Sequence, residues 1–369
     1  MPVIPAKAGI QWHDTQVDSR FCGYDMSLLE TYLKICMLRK TLDFYTKYFA
    51  IWVVICGVIA YLWPSIFTAI EAKTTWFFAV TIERFLPEAF RLGKGRDWFF
   101  ALTMFGIGAI LQIGDFKQIA RRPTIVLVGS SAQFLIMPLG AFALSRIFRL
   151  PSEIAVGLIL TGSAPGAMAS NVMSYIAKAD TAYSVSLTTV STLLCPLLTP
   201  GLTLLLAGSI LEVPFWNMLI QVCLTVVIPL FIGFGVRHFF RKQVESILPV
   251  FPAISVTFII FICSFVIAVN KENLAEVTGI VLLVGIILNI YGMLGGFGVA
   301  SLFRMNTQRR RTLTIEIGMQ NAGLGTILAL EHFGKEAAIP AAIFVFICII
   351  TASAMAAFWQ RIPLAESAE

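Results

Sequence analysis

Residues 154–175 read IAVGLILTGSAPGAMASNVMSY, an apolar run that is interrupted in its middle. Pro165 lacks a backbone N–H and restrains the residue before it, so a helix should end there. Gly166 accepts the turn that follows, and Ser170 and Asn171 then place polar groups where a membrane helix faces hydrocarbon. Backbone groups freed at that depth must face protein or a water-filled cavity. The stretch alone leaves two interpretations open, a proline kink healed by neighbouring helices or a binding site.

The composition of the chain predicts an integral membrane protein. The 369 residues are 58% hydrophobic and 13% charged, and the mean hydropathy is +0.84. A soluble domain carries about 25% charged residues, and the long apolar runs are typical of membrane helices. The net charge of +6 does not indicate a nucleic-acid partner, because the basic residues lie in short clusters between apolar runs. The cysteines form no CxxC pair, which disfavours zinc and disulfide sites.

We predict ten membrane spans in two halves, which the linker 207–213 separates. The predicted spans are residues 45–63, 97–113, 123–147, 153–178, 181–206, 214–238, 252–270, 277–303, 310–333 and 338–358. Each half holds five spans, an odd number, so the second half runs inverted. The fourth span of each half carries a break. Paired breaks in inverted halves indicate the binding site of a secondary transporter.

The domain organisation follows from these spans. Residues 1–25 are polar and lack the apolar core of a signal peptide; they resemble a translated intergenic repeat, and our hypothesis is that the working protein starts at Met26. Residues 64–96 combine apolar positions at helical spacing with several charges, which favours an interfacial amphipathic helix. The Lys and Arg clusters predict that both termini are cytoplasmic. We expect the protein to lie in the inner membrane of the cell. The predicted parts are an N-terminal extension 1–44, a first five-helix repeat 45–206, a second, inverted repeat 207–358 and a cytoplasmic tail 359–369.

The second break, TIEIGMQNAGLG at residues 314–325, contains an acid. Glu316 lies inside an apolar helix, where a bare carboxylate costs roughly 2.5 kcal/mol or more. The neighbouring apolar runs supply no Lys or Arg at matching depth, so a bound cation or a proton is the expected partner. The alternative is an ion pair with Arg311 near the interface. Gln320 and Asn321 add amide oxygens to the same break.

Hydroxyl groups line one face of the fifth span. Ser184, Thr188 and Ser191 follow at helical spacing, and their oxygens suit a hard cation. The alternatives are close packing through small residues or hydrogen bonds to carbonyls one turn back. Gln133 is another intramembrane amide with the same ambiguity. The half-helix after each break presents a partly positive N-terminus to an anion, so the pattern as a whole predicts cotransport of a cation with an organic anion.

Two strings in the chain resemble the signature regions of the bile acid:sodium symporter family, particularly its bacterial members. They are SAPGAMASNVMSYIAKADTAYSVSLTTVSTLLCPLLTP at 163–200 and TLTIEIGMQNAGLG at 312–325. The resemblance extends over about residues 45–358. It implies an all-α polytopic membrane protein with ten transmembrane helices in two inverted five-helix repeats. Spans 1, 2, 6 and 7 would form a panel domain, and the others a core domain in which the discontinuous fourth and ninth spans cross.

The resemblance also implies alternating access driven by two sodium ions, with no other cofactor and with a small organic anion as the transported partner. Carried onto matching positions, the ligands of the first ion would be Ser170, Asn171, Ser184, Thr188 and Glu316. Those of the second ion would be Gln133, Glu316, the carbonyls of Ile317 and Met319, and Gln320. The anion would lie in the cleft near Gly166, Ala167, Met168 and Asn321.

The chain departs from the family pattern in three places. The first break has Ala167 where relatives have a second glycine after the proline. The last span has Phe346 and Cys348 in a stretch where many bacterial members carry a His-Asn pair. Residues 64–96 are longer than the usual connection between the first two spans. The first two departures leave the sodium ligands intact but disfavour a bile-acid-like anion. A bacterium has no evident need of bile salts, so we expect a small carboxylate such as pantoate or a 2-oxo acid, with a bile-acid-like anion as the alternative.

Other functions fit the sequence less well. A transporter coupled to protons at Glu316 would need few oxygen ligands around the acid. An intramembrane enzyme is disfavoured because the chain has no GxSxG or HExxH motif. A structural membrane protein would not need two matched breaks. The oligomeric state is left open.

Overall fold

The computed structural model describes residues 41–362, apart from residues 43, 47, 82–91, 93 and 249. Met1–Phe44 and Tyr45–Glu369 are two separate compact units, and every helix numbered here belongs to the second. Met26 and most of the predicted extension 1–44 lie outside the described residues, as do the middle of segment 64–96 and the end of the predicted tail.

Every regular element in the described part of the second unit is a helix, as expected for a chain that must satisfy its backbone polar groups in lipid. In chain order the helices are α1 (Phe49–Leu62), α2 (Pro64–Thr81), α3 (Gly95–Ile110), α4 (Ile113–Arg121), α5 (Pro123–Ile147), α6 (Ser152–Gly162), α7 (Ala169–Ile176), α8 (Thr181–Ala207), α9 (Phe215–Val222), α10 (Ile228–Phe239), α11 (Arg241–Ile247), α12 (Val250–Val269), α13 (Lys271–Leu302), α14 (Thr307–Gly318), α15 (Ala322–His332) and α16 (Ile339–Arg361). A π-helical turn, Cys223–Val227, joins α9 to α10.

Six stretches of the described residues are each long and apolar enough to cross a membrane. They are α5, α8, α9 with α10, α12, most of α13, and α16 with the short turn before it. The pairs α1–α2 and α3–α4 would raise the number to eight if each bent pair is one span. The chain is therefore a polytopic helical membrane protein. The count of ten spans in two inverted repeats stays a prediction, because it also requires the two broken pairs α6–α7 and α14–α15 to cross the membrane.

The bend between α1 and α2 has a local cause. The two helices meet at 103°, and Pro64 begins the second of them. The residue before a proline is driven out of helical geometry, and Trp63 has φ −127° and ψ 71°. α2 shows that the first part of segment 64–96 is helical, as its spacing indicates. Its position at the membrane surface stays a prediction.

Helices α3 and α10 are held together by reciprocal glycines. A Cβ on Gly108 would lie 2.0 Å from the Leu230 carbonyl oxygen, and one on Gly233 would lie 2.0 Å from the Phe105 carbonyl oxygen. Small residues let two membrane helices bring their backbones this close. The predicted second and sixth spans, both assigned to the panel, thus pack directly on each other.

Candidate functional site

Both predicted breaks are present. α6 ends at Gly162 and α7 begins at Ala169, whereas α14 ends at Gly318 and α15 begins at Ala322. Each interruption falls within the string that the proline, glycine and polar residues marked. Neither break is healed into a continuous kinked helix.

The two breaks lie against each other and satisfy each other's backbone groups. Gly166 forms an isolated antiparallel bridge with the second break. The Ala167 N–H donates to the Met319 carbonyl at 3.0 Å, and the Asn321 N–H donates to the Pro165 carbonyl at 2.8 Å. Buried backbone polar groups need such partners. Two short non-helical segments, residues 163–168 and 319–321, therefore interrupt the helices where they meet.

Side chains from neighbouring helices bind the carbonyls that remain free where α6 and α14 stop. Thr199 donates to the Ser163 carbonyl at 2.7 Å, and Asn289 donates to the Gly318 carbonyl at 2.8 Å. The sequence reasoning missed both residues. Asn289 carried a usable signal, because it is an amide in an apolar run, as Gln133 is.

Replacing Asn289 with alanine should destabilise the protein. The Gly318 carbonyl would stay buried without its donor, which costs about 1–3 kcal/mol. Thermal unfolding of the purified protein in detergent measures the change. Asn217→Ala is the matched control, because Asn217 is exposed and should tolerate the same truncation. Equal unfolding temperatures for the two variants would contradict the role of Asn289.

Three hydroxyl groups converge on the carboxylate of Glu316. Ser170 and Ser184 donate to Oε2 at 2.6 and 2.8 Å, and Thr188 donates to Oε1 at 2.5 Å. Glu316 is 2% exposed, and the three hydroxyl residues have no exposed area. The carboxylate thus joins α7, α8 and α14 in one buried cluster of oxygens.

No cationic side chain of the described residues forms an ion pair with Glu316. Arg311, the alternative partner, donates instead to the backbone carbonyls of Ala177 and Trp359, at 3.0 and 3.2 Å. The alternative prediction, an ion pair between Glu316 and Arg311, is therefore wrong. A buried carboxylate without a cation nearby is the condition in which a bound ion or a proton is expected.

The remaining hydroxyls of the predicted stripe also reach the crossing. The Thr188 hydroxyl lies 3.4 Å from the side-chain oxygen of Asn171. Ser191 accepts a hydrogen bond from the Gly166 N–H at 3.3 Å and donates to the Thr188 carbonyl at 3.1 Å. The Thr188 hydroxyl also lies 2.9 Å from the Ser184 carbonyl oxygen, one turn back in α8. The hydroxyl stripe therefore faces the oxygens around Glu316 and also binds the backbone of its own helix.

A second group of oxygens surrounds Gln320. Its side-chain oxygen accepts from Gln133 at 2.8 Å, and its nitrogen donates to the Ile317 carbonyl at 3.1 Å. The side-chain oxygen of Gln133 is buried and has no hydrogen-bond partner among the described residues. The Met319 carbonyl accepts one hydrogen bond and keeps a second lone pair. The Gln133 oxygen is therefore free of hydrogen-bond donors among the described residues and can accept a further partner.

The residues assigned to the anion line the accessible side of the crossing. Gly166 is buried, whereas Ala167, Met168 and Asn321 are half-buried. Asn321 caps α15 by accepting the Leu324 N–H at 3.2 Å, and no side chain caps α7. The N-termini of α7 and α15 therefore both lie beside half-buried residues at the crossing.

This arrangement suits a hard cation, which prefers oxygen ligands. Carboxylate, hydroxyl, amide and carbonyl oxygens are gathered in two adjoining groups. A hydroxyl rotates its hydrogen, so the groups that now donate to Glu316 can turn their lone pairs to a cation. The residues present therefore fit Na⁺ as a transported ion.

Comparison with known proteins agrees with this geometry. Residues 98–277 match the model of the Sodium Bile acid symporter family. The chain is 39% identical over 325 residues to "Uncharacterized sodium-dependent transporter YocS" of Bacillus subtilis (strain 168), across 88% of this chain and 94% of that protein. It is 31% identical over 324 residues to "Probable sodium/metabolite cotransporter BASS2, chloroplastic" of Oryza sativa subsp. japonica, across 88% and 72%. It is 30% identical over 234 residues to "Sodium/bile acid cotransporter 4" of Mus musculus, across 62% and 53%.

The first two alignments cover most of each chain, so the resemblance first seen in the two signature strings is confirmed. Their names agree with the oxygen-rich crossing in indicating sodium as the coupling ion, and with the apolar helices in indicating a membrane transporter. The chain therefore belongs to the sodium bile acid symporter family and is a sodium-coupled membrane transporter, not an enzyme.

Proposed function

We propose that the protein is a symporter that carries a small organic anion across the bacterial inner membrane together with sodium. The observation that carries this proposal is the Glu316 carboxylate, which is buried among three hydroxyls without a cationic side chain among the described residues. Such a site is costly to keep empty of positive charge. A sodium ion supplies that charge and leaves the site again when the cleft opens to the other side.

We assign the two ion sites to the two groups of oxygens. The first uses Ser170, Asn171, Ser184, Thr188 and Glu316. The second uses Gln133, Glu316, the carbonyls of Ile317 and Met319, and Gln320. The shared carboxylate couples the sites, because each ion reduces the charge that the other meets. The unpaired oxygen of Gln133 supports the second site.

The anion is assigned to the half-buried residues beside the crossing. The N-termini of α7 and α15 carry a partial positive charge and point at Ala167, Met168 and Asn321. In the last span, Cys348 is buried and its thiol donates to the Val345 carbonyl, so this residue offers the ligand no polar group. A carboxylate held at two helix ends suits a small acid such as pantoate or a 2-oxo acid, and a bile-acid-like anion is the alternative.

Proton coupling at Glu316 is the alternative. A proton would neutralise the carboxylate without any further ligand. The hydroxyls and the unpaired Gln133 oxygen favour an ion that takes several oxygens. The names of the relatives mention sodium.

The test is the thermal stability of the purified protein in sodium and potassium buffers of equal ionic strength. A ligand that binds only the folded state at a hundredfold excess over its dissociation constant adds about 2.7 kcal/mol. We expect a higher unfolding temperature in sodium, and a further rise with a small carboxylate only when sodium is present. Equal stability in the two salts, combined with a dependence on pH, would replace sodium by the proton as the coupling ion.

A further inference from the structure

The end of α15 is tied to the predicted panel by a buried charge cluster. Glu331 accepts hydrogen bonds from Lys94 at 2.8 Å and from Arg96 at 2.9 Å. Arg96 is only 5% exposed and also lies 3.5 Å from Glu71 and 4.0 Å from Asp97. Lys94 and Arg96, at the end of segment 64–96, are therefore the partners of Glu331.

Two more hydrogen bonds connect the same end of α15 to other helices of the panel. The His332 ring nitrogen lies 2.6 Å from the side-chain oxygen of Gln221, between α9 and α15. The Lys335 carbonyl accepts a hydrogen bond from Asn270, which follows α12, at 2.9 Å. Residues 331–335 thus contact the start of α3, helix α9 and the residue that follows α12.

At the opposite end of the molecule, two arginines of the described residues each bind within the panel or within the core. Arg237 of the panel donates to the Ala109 carbonyl of the panel at 2.8 Å. Arg311 of the core donates to the Ala177 carbonyl of the core at 3.0 Å. Charged side chains therefore join the panel to the core at the end of α15. At the opposite end, Arg237 binds within the panel and Arg311 binds within the core.

We infer that residues 331–335 form a clasp that holds the transporter closed at this end, and that the cleft opens there only when Glu331 leaves Lys94 and Arg96. This inference rests on the proposed alternating access of core against panel. It assigns Glu331 as a positioning residue for transport, since it touches neither ion nor anion.

The charges around Arg96 make the clasp reversible. A guanidinium left alone in a buried position would oppose opening. Arg96 keeps Glu71 and Asp97 on its own side, and their oxygens include buried atoms without a hydrogen-bond partner among the described residues. These carboxylates can take over the guanidinium when Glu331 departs. The half-buried Glu331 side chain, 31% exposed, is the member that water can solvate.

Cys263 provides a native reporter of opening. It has no exposed area, and its thiol contacts the Ala342 carbonyl of α16 at 3.9 Å, across the boundary between panel and core. The experiment uses the full chain with Cys263 as its single cysteine and measures the rate of modification by a membrane-impermeant methanethiosulfonate. We expect Glu331→Gln to raise this rate about tenfold, which corresponds to about 1.4 kcal/mol. Lys94→Gln, which removes one of the two ion pairs, should raise it less.

The matched control is Glu245→Gln, which breaks the exposed ion pair of Glu245 with Arg241 at 2.9 Å and should leave the rate unchanged. A parental rate in Glu331→Gln, in a protein that sodium still stabilises, would overturn the clasp and leave the proposed function standing. If Glu331→Gln does not fold, Lys94→Gln decides by the same criterion. If sodium does not stabilise the unmodified parent protein, the proposed function itself is refuted.

Discussion

Replacing Glu316 with glutamine should abolish the stabilisation of the protein by sodium. Glutamine keeps the shape of the side chain but removes the charge on which Ser170, Ser184 and Thr188 converge. Both proposed ion sites share this carboxylate, so both should fail together. The difference in unfolding temperature between sodium and potassium buffers measures the effect. Uptake of the carboxylate that stabilises the parent protein in sodium should also fall to background.

The matched control for this change is Glu212→Gln, because Glu212 is an exposed acid in the linker between the predicted repeats. It should keep the full response to sodium. The unliganded Glu316→Gln protein should be at least as stable as the parent in potassium, since it no longer buries a charge. A Glu316→Gln protein that sodium still stabilises would refute the shared site.

Replacing Gly166 with alanine should disable the crossing. The added Cβ would lie 2.5 Å from Oε1 of Glu316, so the carboxylate must move away from Thr188, or the bridge between the breaks must open. Overpacking of this kind costs about 1–3 kcal/mol. We expect a lower unfolding temperature in potassium and no gain in sodium.

Gly298→Ala is the control for the glycine substitution. Gly298 lies in α13 with no neighbouring atom in the path of a Cβ, and alanine is favoured over glycine inside a helix by about 0.5–1 kcal/mol. This variant should match or exceed the parent in stability and keep its response to sodium. A Gly166→Ala protein with an intact sodium response would show that the approach of Gly166 to the carboxylate is not required.

Features that depend on a few neighbouring residues were predictable from the sequence, whereas contacts between distant residues were not. Pro165 and Gly166 predicted the first break correctly, because proline and glycine act on the backbone within a few residues. Glu316 was identifiable for a similar reason, because an acid within an apolar run is recognisable from the residues next to it alone. The predicted fold class, a helical polytopic membrane protein, rests on the same kind of evidence. The assignment of ligands to two ions remains a proposal.

The clasp shows what the sequence left undetermined. The charges of segment 64–96 predict an interfacial helix, which stays a prediction, but they did not identify a partner for Glu331. In the structure Arg96 is almost completely buried, and it meets Glu331, 235 positions further along the chain. No spacing rule connects such residues, because their approach depends on how α3 and α15 pack. Asn289 was detectable as an amide in an apolar run, but its partner, the Gly318 carbonyl, was not predictable for the same reason.

The sequence by itself determined that this chain crosses a membrane, that two of its helices break, and that an acid and several polar side chains lie at the breaks. Each of these properties depends on hydropathy, backbone restraint or side-chain chemistry within one short stretch. Only the tertiary structure decided that the two breaks satisfy each other, that Ser170 and Glu316 meet across 146 positions, and that Arg311 binds carbonyls instead of Glu316. Those contacts arise when helices pack, because burial then selects which polar groups must find partners.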